Sequence, residues 1–141
     1  MQKPQRIGLV VLLSLGVTMA SFAAGAGKDV EATPQARAYR ALLKAIDAGD
    51  YEAYKKCMMA DAAKDIDGQV KQMGKTPKET MEFFKVMEPT DIKFTGLDVK
   101  GKKATLMATG KQGGEMTKGT IDLAEENGQW KIGKQSWSNA R

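Results

Sequence analysis

Apolar residues follow two different periods along this chain, and the switch between them divides it. Tyr39, Leu42, Leu43 and Ile46 recur at i, i+3, i+4 and i+7, the spacing of one helix face. Ala38, Ala41, Ala45 and Ala48 make a second, small face that permits close packing. Thr33-Pro34 supplies the start of this helix: threonine caps it, and proline fits the first turn, where no amide hydrogen is needed. Gly49 stops it and Asp50 caps a second helix carrying Tyr51, Tyr54 and Met58, which is expected to stop or bend near residues 59–63 and to close at Asp67-Gly68. Residues 69–75 follow neither period. Thr76-Pro77-Lys78-Glu79 opens a third helix as a capping box, with Thr80, Phe83, Phe84 and Met87 sharing a face before Pro89 ends it.

From Asp91 the period is two. Ile92 and Phe94 alternate, and Gly96 shifts the phase so that Leu97 and Val99 continue it, the mark of a β-bulge. Turns at Gly101, Gly113-Gly114 and Asn127-Gly128 separate three further strands, the last carrying Trp130, Ile132 and Trp137. The predicted fold is α+β, with three N-terminal helices packed on a bent four-stranded antiparallel sheet, over residues 33–139.

The first 26 residues belong to neither pattern. Lys3 and Arg6 precede an apolar run from Ile7 to Val17, and small residues follow as far as Ala26. A positive start, a hydrophobic centre and a small-residue exit describe a secretory signal peptide. The expected product is an exported, periplasmic or secreted protein. Its only membrane contact would be this segment, were it left uncleaved. Residues 27–32 read as a linker.

The whole chain carries 22 Lys and Arg against 17 Asp and Glu, and Lys3 and Arg6 account for two of the five excess positive charges. The remainder is mild and interspersed, which argues against a nucleic-acid partner. There is no histidine, so serine- or cysteine-histidine catalysis and nearly all zinc and copper sites are excluded. Cys57 is the single cysteine. It cannot form an internal disulfide and reads as a small buried hydrophobe, with an intermolecular bridge as the alternative. Consecutive Cys57, Met58 and Met59 point about 100° apart on a helix and do not converge on a metal. No cofactor is expected.

The segments Tyr39–Tyr51, Lys102–Leu106 and Gly128–Ile132, with their helix ending AGDYEAY and late G-x-W-K-I strand, resemble the small exported members of the nuclear transport factor 2-like superfamily. The resemblance implies a cone of curved sheet and helices that can hold a small molecule, and pairing of two copies through the open sheet face. Tyr39, Phe83, Phe84, Phe94 and Trp130 are the expected lining of a pocket for an apolar or amphipathic ligand. Trp137 lies an odd seven residues from Trp130, which puts it on the opposite sheet face unless a bulge at Gly133 resets the phase; there it would serve a homodimer or partner contact. Related enzymes use an acid/base pair inside the cone. Asp98 and Asp122 alternate with apolar neighbours and so face solvent, and no catalytic residue is assigned. The expectation is a non-enzymatic binding module for a ligand or protein partner in the cell envelope, with a histidine-free isomerase- or dehydratase-like enzyme using a Tyr and Asp/Glu pair as the alternative.

Overall fold

The computed structural model describes residues 27–140, so the proposed signal segment lies outside the described residues. Five helices precede four strands: α1 (Gly27–Glu31), α2 (Pro34–Ala48), α3 (Tyr51–Lys56), α4 (Ala60–Met73), α5 (Pro77–Met87), β1 (Thr90–Lys100), β2 (Lys103–Gln112), β3 (Glu115–Glu126) and β4 (Gln129–Asn139). The strands form one antiparallel meander in sequence order. The fold is therefore α+β, with helices first and an antiparallel sheet after them. No helix among the described residues is long and apolar enough to cross a membrane.

The helix boundaries follow local chemistry. Thr33 Oγ1 accepts from the Ala36 amide at 3.2 Å, and Asp50 from that of Ala53 at 3.0 Å. Thr76 and Glu79 make both arms of the capping box. Gly49 terminates α2 with φ +68°, a left-handed conformation that costs glycine nothing.

The helices depart from expectation in three places. Residues 27–32, read as a linker, contain α1, anchored by Val30, which is only 1 % exposed. The second predicted helix is two, and the stop or bend expected near residues 59–63 comes slightly earlier, at Cys57–Met59. The chain leaves helical geometry at Cys57–Met59 because this segment joins the sheet: the Ile132 amide donates to Cys57 O and the Met59 amide to Ile132 O, both at 2.8 Å. After that bridge α4 runs through Gly68, the expected stop, to Gly74. Gly68 is exposed, and one exposed helical glycine costs only about 1 kcal/mol. The third departure concerns α5, whose buried positions are Thr80 and Met81, with Phe84 half-buried; Phe83 and Met87 of the predicted face are exposed.

The core lies between α2 and the inner face of the sheet. Tyr39, Leu42, Leu106, Ile121 and Ile132 are all at most 1 % exposed, and Phe94 and Leu123 are nearly as deep. Each such side chain contributes about 1.5–3 kcal/mol on burial. β1 slips register between Phe94 and Gly96, as the phase shift predicted.

Candidate functional site

A polar cluster sits at the edge of this apolar core. Tyr39 comes from α2, Glu88 caps the C-terminus of α5, and Gln135 and Trp137 are two residues apart on β4. Tyr39 Oη lies 2.8 Å from Gln135 Oε1 and 3.3 Å from Glu88 Oε2, so the single phenolic proton favours the amide oxygen. Gln135 Nε2 donates to Glu88 Oε1 at 2.7 Å, and Trp137 Nε1 donates to Gln135 Oε1 at 3.1 Å. Gln135 is the hub: it accepts two bonds and passes a third to the carboxylate.

Burial raises the Glu88 carboxyl above the ordinary glutamate range, against the stabilising bonds from Gln135 and Tyr39. Burial and then the Glu88 charge push the Tyr39 phenol well above its usual range. The same two causes carry Tyr54 to about 12. Tyr39 is therefore a neutral donor, and Glu88 is the acid of the cluster whose ionisation burial resists. The Tyr39 ring packs edge-on against Phe94, their centroids 6.0 Å apart. Arg40, one residue on, stacks over Phe94, donates to Ile92 O at 2.8 Å and pairs with Glu31 at 2.8 Å.

Trp137 occupies the inner face. β4 changes register between Asp122 and Leu123 of its partner strand, where Gly133 forms the bulge. The indole lies on Gly119, where a Cβ would come within 2.6 Å of the ring. The bulge reset that the sequence reading left open is the outcome, and the open-face position for Trp137 is withdrawn, together with the partner contact argued from it.

The five residues expected to line a pocket are dispersed. Tyr39 and Phe94 meet inside the core, and Phe84 packs on Tyr54 with centroids 5.1 Å apart. Phe83 is 46 % exposed, with Lys75 Nζ 4.7 Å above its ring. Trp130 is half-buried at the far end of β4, opposite Glu125. None of the five lines the three grooves described next. One groove of about 340 Å³ reaches the polar cluster through Glu88 and runs past Arg40, Leu43, Asp47 and Ile92. Two others, of about 350 and 470 Å³, lie along the sheet.

Asp98 and Asp122 are exposed, as alternation required. Glu88 is not among the residues that the sequence pattern singles out, because it stands at a helix-to-strand junction and not on a strand. Its one signal is position: an acid directly before Pro89 at the end of an amphipathic helix. Cys57 is half-buried, with its thiol pushed upward by burial. Among the described residues no group of three or more acidic or cysteine side chains is arranged to hold a metal.

No family model matches the chain. No curated protein matches it either. Among solved structures it is similar to the solution structure of a SEC-C motif-containing protein from Rhodopseudomonas palustris, with TM-score 0.49 and 15 % identity, over 70 % of this chain and 74 % of that one.

Proposed function

We propose that this protein is an exported, non-enzymatic interaction module with a nuclear transport factor 2-like fold, working through its surface on a protein partner in the cell envelope. The observation that supports this reading best is the filled interior. Tyr39, Leu42, Leu106, Ile121 and Ile132 occupy the space between α2 and the sheet and leave each other at most 1 % exposed, so the ligand that a cone could hold has its place taken by the chain itself. Helices followed by a bent antiparallel sheet are what the superfamily resemblance implies. The contact surface we assign is the outer ridge of α5, where Phe83, Val86 and Met87 are 46 %, 79 % and 52 % exposed. Apolar side chains grouped on one helix are the usual mark of a partner site.

Native mass spectrometry of the protein from an exporting host tests the reading. A mass beginning near residues 24–27 with no added small molecule is expected. A co-purifying apolar ligand would replace the surface reading with the pocket reading. The double substitution Phe83→Ser and Val86→Ser is expected to abolish partner recovery from envelope extracts while costing only about 1–2 kcal/mol, since Phe83 also packs on Phe84 and under Lys75.

The enzyme alternative gains one specific observation, the Tyr39–Glu88 contact of 3.3 Å. A phenol and a carboxylate in contact can exchange protons with a substrate. Tyr39 is fully buried, however, and its hydroxyl is committed to Gln135. A substrate would have to displace that bond to reach it.

A further inference from the structure

The two edges of the sheet differ in how their backbone groups are covered. β1 is obstructed: it shifts register twice, α1 lies against it, and Arg40 donates to the Ile92 carbonyl at 2.8 Å. β4 is covered only near its start, where the Ile132 amide donates to Cys57 O and Ile132 O accepts from the Met59 amide. The Ile132 main chain therefore points away from β3. Beyond the Gly133 bulge the parity reverses, and the Ala140 amide donates to Met116 O of β3 at 3.0 Å. Antiparallel alternation then turns the main chains of Ser138, Ser136 and Lys134 toward β3, and those of Asn139, Trp137 and Gln135 outward. The N–H and C=O groups of these last three have no backbone partner among the described residues.

We propose that this open run joins two copies of the chain, β4 against β4, antiparallel about a two-fold axis at Trp137. The run is self-complementary. In that register Gln135 pairs with Asn139 of the second copy and Trp137 with its own equivalent, so every outward N–H meets an outward carbonyl. On the outer face Ser136 falls opposite Ser138 of the second copy. Lys134, the only charge from Gly133 to Ala140, falls opposite Ala140, and no like charges meet. The ends fit as well. Cys57–Met59 stands as a shoulder on the edge at Ile132. An antiparallel copy carries its own shoulder past Ala140, clear of the run, whereas a parallel copy in register would bring the two shoulders together.

The run itself favours a second copy over a foreign strand. Sheet edges are normally guarded by charge, proline or a cover, and Gln135-Ser136-Trp137-Ser138-Asn139 has no charge and no proline. Foreign strands added to an edge are selected by pockets for alternate side chains. None of the three grooves is lined by Gln135, Trp137 or Asn139, and the one that reaches Ser136 and Ser138 lies on the sheet face over β2 and β3. A second copy needs no pocket, because the same run supplies the complement. This contact is made by the strand edge, so it depends neither on the α5 ridge nor on pairing through the sheet face.

One strand pair buries less than a standard interface of about 1,600 Å², so the dimer is expected to be weak. Protein from an exporting host is followed by sedimentation from about 1 μM to about 1 mM, with amide hydrogen exchange measured at both extremes. Sedimentation should pass from monomer to dimer. The amides of Gln135, Trp137 and Asn139 should gain protection at high concentration, while those of Lys134, Ser136 and Ser138 are protected throughout. Ser136→Glu with Ser138→Glu sets like charges opposite one another across the axis and should weaken the dimer. Ser136→Lys with Ser138→Glu sets opposite charges there, and should dimerise about tenfold more tightly than the first variant. Asn139→Pro removes an outward N–H without touching the β3 ladder and should weaken the dimer severalfold. A monomer at every concentration overturns the proposal. A dimer whose three outward amides stay unprotected, or equal affinities in the two serine variants, overturns it by placing the contact elsewhere. Loss of the dimer in Phe83→Ser with Val86→Ser, but not in Asn139→Pro, would move it to α5.

Discussion

Replacing Glu88 with glutamine isolates the titrating member of the polar cluster. The folded protein holds the Glu88 carboxyl above its ordinary range, through burial first, with the Gln135 and Tyr39 bonds acting in the opposite direction. The native state therefore binds this proton more tightly than the unfolded chain does. The stability linked to it is complete below the ordinary glutamate value, about pH 4.3, and is lost as pH rises through the raised folded value. Above that value Glu88 is a half-buried anion with Gln135 as its donor at 2.7 Å and the Tyr39 hydroxyl, turned toward Gln135, more weakly placed at 3.3 Å. Bonds to a charged group offset about 1.5–3 kcal/mol each, and only the shorter one is well formed. Glutamine keeps the shape and an acceptor for either donor, but cannot ionise.

The quantity to follow is the stability of the wild type minus that of Glu88→Gln, from urea unfolding between pH 4 and 8. This single domain suits two-state treatment. The difference should favour the wild type increasingly as pH falls. Between the two proton affinities the difference falls as pH rises, with a slope that cannot exceed about 1.4 kcal/mol per pH unit, one proton's worth. At pH 8 the variant should equal or exceed the wild type. A flat difference would mean that Glu88 is effectively solvated in the groove beside Arg40 and Ile92. A difference growing toward high pH would mean that a cation holds the carboxylate ionised, and the reading of the cluster as a buried acid would be wrong.

Other perturbations test the packing around it. Thr117 is 1 % exposed on the inner face, and its hydroxyl has no partner among the described residues, so Thr117→Val should raise stability by about 1 kcal/mol; destabilisation would reveal a bound partner for the hydroxyl. Gly119→Ala drives a methyl into the Trp137 ring, and should cost about 1–3 kcal/mol and alter the near-ultraviolet signal of that indole. Thr76→Ala removes one arm of the capping box and should lower stability by about 1 kcal/mol in the same unfolding assay.

The architecture was legible where one physical rule acts alone. Caps at Thr33, Asp50 and Thr76 obey local hydrogen bonding, and the structure contains each of them. Alternation along β1 and β3 separates Ile92, Phe94, Ile121 and Leu123 from Asp98 and Asp122, and burial follows that division. The break at Cys57–Met59 could be placed but not explained, because its cause is a bridge to Ile132, 75 residues away from Cys57 along the chain. Helix α1 was invisible for a related reason. Five residues have too few positions for a period, and Val30 is buried by tertiary packing, α1 lying against β1.

The candidate site lay where two rules compete. Parity put Trp137 on the outer face, and a bulge at Gly133 returned it to the inner one, where Gly119 leaves room for the indole. The same bulge sets Gln135 beside Tyr39. Without it, both β4 residues of the cluster would face solvent and Glu88 would stand half-buried with no amide donor. An unpaired, half-buried carboxylate costs stability or takes up a proton. The bulge and the acid are therefore one feature: Gly133 permits the phase change, the phase change delivers Gln135, and Gln135 makes Glu88 tolerable at the end of α5. A search of the strands for acids could not find this, because the acid belongs to a helix cap and only its donors belong to the sheet.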